Sequence, residues 1–280
     1  MSEKTAKFDP TTTISAEFGI FGIPMTEEES KVILVPVPWE VTTSYGEGAS
    51  RGPVIIRQAS EQIDLFDIEV GKSYEVGYHM RPFPEDLARM NDKFKGVAQE
   101  LIEMRTNMSD DTKKMDSLAA EVNTACEEMT QWVYDQCSDV LKKGKLLGLV
   151  GGDHSTPLGA IRAVSDKFKG EFGVLHIDAH ADLRKGYQGF KQSHASIMYN
   201  VMTDAKKPQK LVQVGIRDFC EEEYDFSESR KDIKTFYDLE LKRRMLKGET
   251  WEKVCADIIK ELPQNVYIRS EEHTSELQSH

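Results

Sequence analysis

Cysteine is scarce in this chain and never stands at metal-binding spacing. Cys126, Cys137, Cys220 and Cys255 are its four, with no Cys-x-x-Cys among them. That excludes a thiolate zinc site and a disulfide framework, and the four read as reduced thiols of a cytosolic protein. Long apolar runs are missing too. No stretch reaches the roughly 18 residues of a membrane span, and no secretory core appears near Met1, so the cytoplasm is the expected location. Positive charge is in deficit: 36 Lys and Arg against 48 Asp and Glu give a formal net charge of −12. Such a balance argues against nucleic-acid or anionic-membrane partners and suits a cationic small molecule. Gly46, Gly48 and Gly52 suggest a phosphate cradle, but no Gly-Lys-Ser/Thr follows, so a nucleotide site is not expected. Internal repeats are absent.

What is present is concentrated. Gly151-Gly152-Asp153-His154-Ser155 follows an apolar run, then come His176-Ile-Asp178-Ala-His180-Ala-Asp182 and Ser193-His194-Ala-Ser196. Histidines interleaved with carboxylates suit a borderline to hard divalent cation, and the oxygen share favours Mn²⁺ or Mg²⁺. Residues 146–150 and 172–175 read as short buried strands, each handing its polar residues to the loop at its C-terminal end, where ligands sit in parallel α/β sheets. If the chain stays extended, Asp178, His180 and Asp182 share one face. Two carboxylates and an imidazole there are costly to bury without a cation. Singly, each has a plainer explanation: His176 as a satisfied core histidine, Asp153 as a turn or cap residue, His194 as a solvent-facing loop residue.

Around these motifs, strands are expected at 31–37, 211–216 and 264–268, and a helix starts at Gly52-Pro53 with proline in its first turn. A helical block covers 84–143, as 85–104 and 115–142, and its Met, Leu and Val stripe has the spacing of a core face. Residues 240–262 read mostly as one helix. Asp64 and Asp67 form an acidic pair that could make a second metal cluster, though a helix end or plain surface is the expected reading. Arg217, at a strand's C-terminal end, either shapes a pocket or forms a scaffold salt bridge. Strands alternating with helices imply an α/β fold, three layers α/β/α around a mostly parallel sheet.

At Gly-Gly-Asp-His-Ser and Asp-Ala-His-Ala-Asp the chain resembles the ureohydrolase family of arginases and agmatinases, matching the first two of its three metal motifs. Pro36-Val-Pro38, Tyr45-Gly-Glu-Gly-Ala-Ser-Arg-Gly-Pro53 and Val214-Gly-Ile-Arg217 extend the likeness, which runs from about Lys31 to Ile268. Asp182-Leu-Arg-Lys-Gly-Tyr187 followed by Ser193-His194-Ala-Ser196 is more similar to agmatinases than to arginases. The resemblance implies one arginase-like catalytic domain over 1–268 and two Mn²⁺ per chain. His154, Asp178 and Asp182 would ligate one ion, and His180 with a bridging Asp178 the other. A hydroxide between the metals would attack a guanidinium carbon, giving urea and an amine. Asp182 would orient that hydroxide, and His194 would shuttle a proton to the leaving amine. Assembly as a trimer or hexamer is implied by the family alone.

The family's third motif, Ser-x-Asp-x-Asp, should follow residues 264–268. Instead the chain reads Arg269-Ser-Glu-Glu-His-Thr-Ser-Glu-Leu-Gln-Ser-His280, which resembles the in-frame translation of a DNA-sequencing adapter. Residues 269–280 are therefore expected to be a non-native tail. The fold is expected to be incomplete at its C-terminus, lacking two metal carboxylates, the guanidinium-pairing glutamate and a strand from the middle of the sheet. This chain is expected to be inactive and poorly folded while its full-length parent is an enzyme. The leading substrate is agmatine, giving putrescine in polyamine biosynthesis. Arginine, guanidinobutyrate and formimidoylglutamate are the rivals. A catalytically silent partner subunit and a single-zinc deacetylase are the alternatives in kind.

Overall fold

The computed structural model describes residues 19–271, which divide into two compact units, one through Ala160 and the other from Ile161 onward. Each mixes helices with strands, and every pairing between strands is parallel. The first unit holds β1 (Val32–Val37), α1 (Gly52–Ala59), β2 (Tyr78–Met80), α2 (Glu85–Thr106), α3 (Thr112–Lys142) and β3 (Leu146–Gly151). Its three strands run in the order β2-β1-β3. In β1 the β-branched residues Ile33, Val35 and Val37 are fully buried. Helix α3 begins earlier than the apolar stripe suggests because Asp111 caps it, Oδ1 accepting from the Lys114 amide at 3.0 Å. The stripe is core: Val122, Cys126, Met129, Val133, Cys137 and Val140 are all buried. All four cysteines are free thiols. Burial pushes the Cys137 thiol up to about 12, which makes it an inert packing residue.

An ion network ties the edge of this unit together. Arg81 pairs with Glu27 at 2.8 Å and also with Asp139, while Lys143 reaches Glu27 at 3.0 Å. The Arg81 hydrogen bond is the main cause holding the Glu27 carboxyl down to about 2 from 4.5. Because the folded value is depressed, this contribution is complete above the unfolded value and is lost as pH falls through the folded one. Glu27→Gln is expected to flatten the fall in unfolding free energy between about pH 4.5 and pH 2, as read by urea titrations across that range. An unchanged slope would refute the assignment.

Helix α4 (Leu158–Phe168) carries the boundary. The second unit holds β4 (Gly173–Ile177), α5 (Ile197–Thr203), β5 (Lys210–Ile216), α6 (Glu221–Glu228), β6 (Ile233–Tyr237), α7 (Asp238–Leu246), α8 (Trp251–Lys260) and β7 (Val266–Ser270). Its strands run in the order β6-β5-β4-β7. One sheet face is apolar: Leu175, Val212 and Val214 pack with Leu241, Val254 and Ile258 of α7 and α8. The opposite face carries His176 and Gln213, both fully buried.

Three sequence expectations need correction. Residues 240–262 are two helices rather than one: Gly248 takes φ +91°, a left-handed value that ends the first. The Thr250 hydroxyl then accepts from the Lys253 amide to start the second. The last strand does not stop at Ile268, since Arg269 and Ser270 continue it in register with His176 and Ile177. Strands β2 and β6 were not foreseen, the first being three residues long and the second interrupted by Lys234. Asp67 lies in a turn, its Oδ1 accepting from the Glu69 and Val70 amides. The tail from residue 272 lies outside the described residues. No described helix is long and apolar enough to cross a membrane.

Candidate metal centre

Strand β4 ends at Ile177, so period-two alternation does not organise the residues beyond it. Asp178 turns the chain itself: its Oδ1 accepts from the His180 amide at 2.8 Å, the local side-chain closure aspartate favours at strand ends. Asp182 takes φ +54°, a conformation that costs most side chains about 1–3 kcal/mol and clusters at functional sites. Its carbonyl accepts from the Met198 and Tyr199 amides at 2.9 and 3.2 Å, which holds that conformation in place. The expected single extended face is thus replaced by a turn. Asp178 and Asp182 are buried at 0 and 4% exposure, while the His180 side chain is 54% exposed. His180 Nδ1 lies 3.5 Å from Asp178 Oδ1, and its Nε2 lies 3.6 Å from Asp218 Oδ2.

The two buried carboxylates converge on one cation. Arg269 Nη1 is 2.8 Å from Asp178 Oδ2, and Nη2 is 2.9 Å from Asp182 Oδ2. The guanidinium also lies against His176 Nε2. Burial alone would raise the Asp178 carboxyl. Hydrogen bonds from His176 and His180, with the charge of Arg269, overcome it and hold the group well below the usual carboxylate range. Burial, with Arg269 beside it, lowers His176, and the hydrogen bond to Asp178 raises His180. Carboxylates fixed around one positive charge, with a half-exposed imidazole beside them, are a donor set that fits a hard or borderline divalent cation.

The loop after Asp182 is built rather than loose. Glu223, 3% exposed, accepts from the Leu183 amide and the Cys220 amide, each at 2.9 Å. Phe190 is buried, and Tyr187 and Phe190 exchange backbone hydrogen bonds. Ser193 and Ser196 cap one another across a single 3₁₀ turn. That turn presents His194, half-buried, edge-on to the Tyr187 ring at 5.6 Å.

In the first unit, the Gly-Gly-Asp-His-Ser motif follows β3. Asp153 behaves as a turn residue, its Oδ1 accepting from the Ser155 amide at 2.8 Å and the Ser155 hydroxyl at 2.5 Å. His154 is half-buried within that turn. The glycine-rich segment after Trp39 is gathered by Glu40, which accepts from the Gly48 and Ser50 amides and pairs with Lys95 at 2.5 Å.

Residues 30–269 match the model of the arginase family. The chain belongs to that family. Its likeness includes an N(1)-aminopropylagmatine ureohydrolase of Thermus thermophilus, 32% identical over 68% of this chain and 52% of the relative. An agmatinase of Bacillus anthracis is 26% identical over 71% of this chain and 57% of the relative. The chain thus spans a little over half the length of these curated relatives. Among solved structures, the agmatine ureohydrolase of Thermoplasma volcanium superposes with a TM-score of 0.60 at 20% identity, over 96% of this chain and 73% of that one. The shared fold is mixed α/β with parallel sheets, as the strand and helix pattern implied.

Sequence reasoning missed Gln213, Glu223 and Glu40. Gln213 did leave a signal: an amide inside the apolar run Leu211-Val-Gln-Val-Gly-Ile216 demands buried partners. Glu223 left a weak one, the capping-box spacing Cys220-x-x-Glu223 at the start of α6, but neither its reach to the Leu183 amide nor the gathering of Gly48 and Ser50 by Glu40 was signalled. Arg217 is exposed, its guanidinium 3.5 Å from the Gly215 carbonyl, at a cavity of about 720 Å³ lined also by Leu175, Ile177, Trp251 and Ile258.

Proposed function

We propose that this chain is the larger part of a metal-dependent ureohydrolase that cleaves a guanidino compound to urea and an amine, with agmatine as substrate. The observation that carries this reading is the convergence of the buried Asp178 and Asp182 carboxylates on one cation. Asp178, His180 and Asp182 are the proposed Mn²⁺ ligands in the second unit, and His154 joins them on the match of its motif alone. Two Mn²⁺ per full-length chain would supply a hydroxide-strength nucleophile near neutral pH by acidifying water. A resonance-stabilised guanidinium requires a nucleophile of that strength.

The chain's own residues do the rest. Asp182, locked by its backbone, accepts a hydrogen bond from the attacking water and aims it. His194, on its serine-capped turn, delivers a proton to the departing amine. The acidic surface draws a cationic substrate, and subunits assemble as trimers or hexamers in the cytoplasm. Residues 269–280 remain, in this proposal, a non-native tail standing where the family's third motif belongs, so the 280-residue chain is inactive.

The likeness to an N(1)-aminopropylagmatine ureohydrolase supports a second substrate, an agmatine extended at its amine end by an aminopropyl arm, with the guanidinium left free. The test is an adapter-free long read through the codon of Ile268, then urea release by the full-length parent loaded with Mn²⁺. Agmatine or its aminopropyl derivative is expected to outrun arginine, with two Mn²⁺ per chain. Faster hydrolysis of arginine would refute the substrate assignment. Absence of both metal and urea would favour a silent partner subunit. One Zn²⁺ would favour a deacetylase.

A further inference from the structure

We propose that Gln213 and His176 are positioning residues, holding the Asp178 carboxylate through a single tautomer of the imidazole. The consequence for metal binding rests on the metal-centre reading above.

Thr235 pairs with Gln213, Gln213 with His176, and His176 with Arg269. Side chains of register partners in parallel strands share a face, so one rung across β6-β5-β4-β7 is polar from end to end. Gln213 and His176 are fully buried and Thr235 is 8% exposed. A polar rung inside a sheet must be satisfied group by group.

Donor and acceptor counting from the Ala181 carbonyl then assigns the proton of His176. The Ala181 carbonyl can only accept, and it lies 2.7 Å from Gln213 Nε2. That contact orients the amide. The same Nε2 lies 2.9 Å from His176 Nδ1, so Nδ1 accepts. A neutral imidazole has one donor, which must be Nε2–H, and it faces Asp178 Oδ2 at 2.9 Å. The Gln213 Oε1 accepts from the Thr235 hydroxyl at 3.2 Å, and that hydroxyl also meets Ser227 at 2.9 Å. Asp178 Oδ1 is held by the His180 amide. Both carboxylate oxygens are therefore aimed, one by the turn and one by a relay that starts at a backbone carbonyl.

Arg269 competes for this arrangement, since it lies against His176 Nε2 and a guanidinium only donates. Granting it that nitrogen would require Nδ1–H and a reversed Gln213 amide, setting two oxygens face to face at Ala181. The carbonyl decides for Nε2–H.

The experiment is side-chain ¹⁵N–¹H correlation spectroscopy of histidine-labelled, metal-free protein, with the His176 signals assigned by their loss in His176→Asn. The Nε2–H pattern is expected. Gln213→Glu, whose carboxylate can only accept at Nδ1, should invert it to Nδ1–H. Thr235→Val, which leaves both Gln213 donors in place, should not move it. Gln213→Leu serves if the glutamate variant does not fold, and it should average the two tautomers.

Electron paramagnetic resonance with Mn²⁺ as the probe supplies the second readout. Binding should weaken by roughly 10–100-fold in Gln213→Glu and stay within about twofold in Thr235→Val. An Nδ1–H pattern in the unsubstituted chain, a pattern unmoved by Gln213→Glu, or Mn²⁺ affinity unchanged after inversion would each overturn the proposal. An unsubstituted chain that takes up no Mn²⁺ sinks the metal reading instead, and the spectra alone then decide the relay.

Discussion

Arg269→Ala is expected to make the chain bind Mn²⁺ about a hundredfold more tightly while lowering its stability without metal. The guanidinium spans Asp178 and Asp182 with two charge-assisted hydrogen bonds of 2.8 and 2.9 Å. An incoming metal ion must break both. At about 1.5 kcal/mol each they sum to roughly 3 kcal/mol, and each 1.4 kcal/mol is about a factor of ten in affinity. Removing the arginine also strands two buried carboxylates, an effect of about 3–5 kcal/mol when one partner of a buried pair is lost. The two effects have opposite signs and a common remedy: saturating Mn²⁺ should restore the melting temperature of the variant. Isothermal titration calorimetry and melting with and without Mn²⁺ measure both. Equal affinities in the two chains would mean that the carboxylates under Arg269 are not where the metal goes.

Gly152→Ala is expected to cost about 3 kcal/mol or more, at the upper end of overpacking effects. The cause is backbone rather than side chain. A Cβ on Gly152 would stand 1.9 Å from the Trp39 carbonyl oxygen and 2.7 Å from the Trp39 amide nitrogen. The neighbouring amides explain the closeness: Gly152 donates to the Val37 carbonyl and Asp153 to the Trp39 carbonyl, at 2.9 and 2.7 Å. Neither chain can withdraw without losing those bonds, and Trp39 is fully buried. Chemical denaturation reads the cost directly. A loss under about 1 kcal/mol would show that the two segments part easily. The second glycine of the motif therefore serves the close approach of two backbones, whatever chemistry His154 performs.

Much of the fold was legible because its elements obey local rules. The apolar runs at β1, β3 and β5 and the stripe along α3 appear where hydrophobic periodicity places them. The α7–α8 break was missed although both of its signals, Gly248 and Thr250, are local; the apolar spacing on either side of them obscured the stop. Strand β6 was missed because its exposed Lys234 disguises a segment whose other face is buried.

The candidate site divides the same way. Sequence alone concentrated histidines and carboxylates after two strand ends, since chemistry that needs a cation needs those residue types close together in the chain. It determined the family, the parallel α/β class and the ligand candidates. Tertiary structure decided how they are held. The left-handed backbone of Asp182 and the loop tied to Glu223 depend on partners up to 40 residues away, whereas the turn closed by Asp178 is local. The polar rung from Thr235 to Arg269 exists only once four strands are in register. Residue types are a property of the chain, whereas the proton on His176 and the cation between two aspartates are properties of neighbours that only folding supplies.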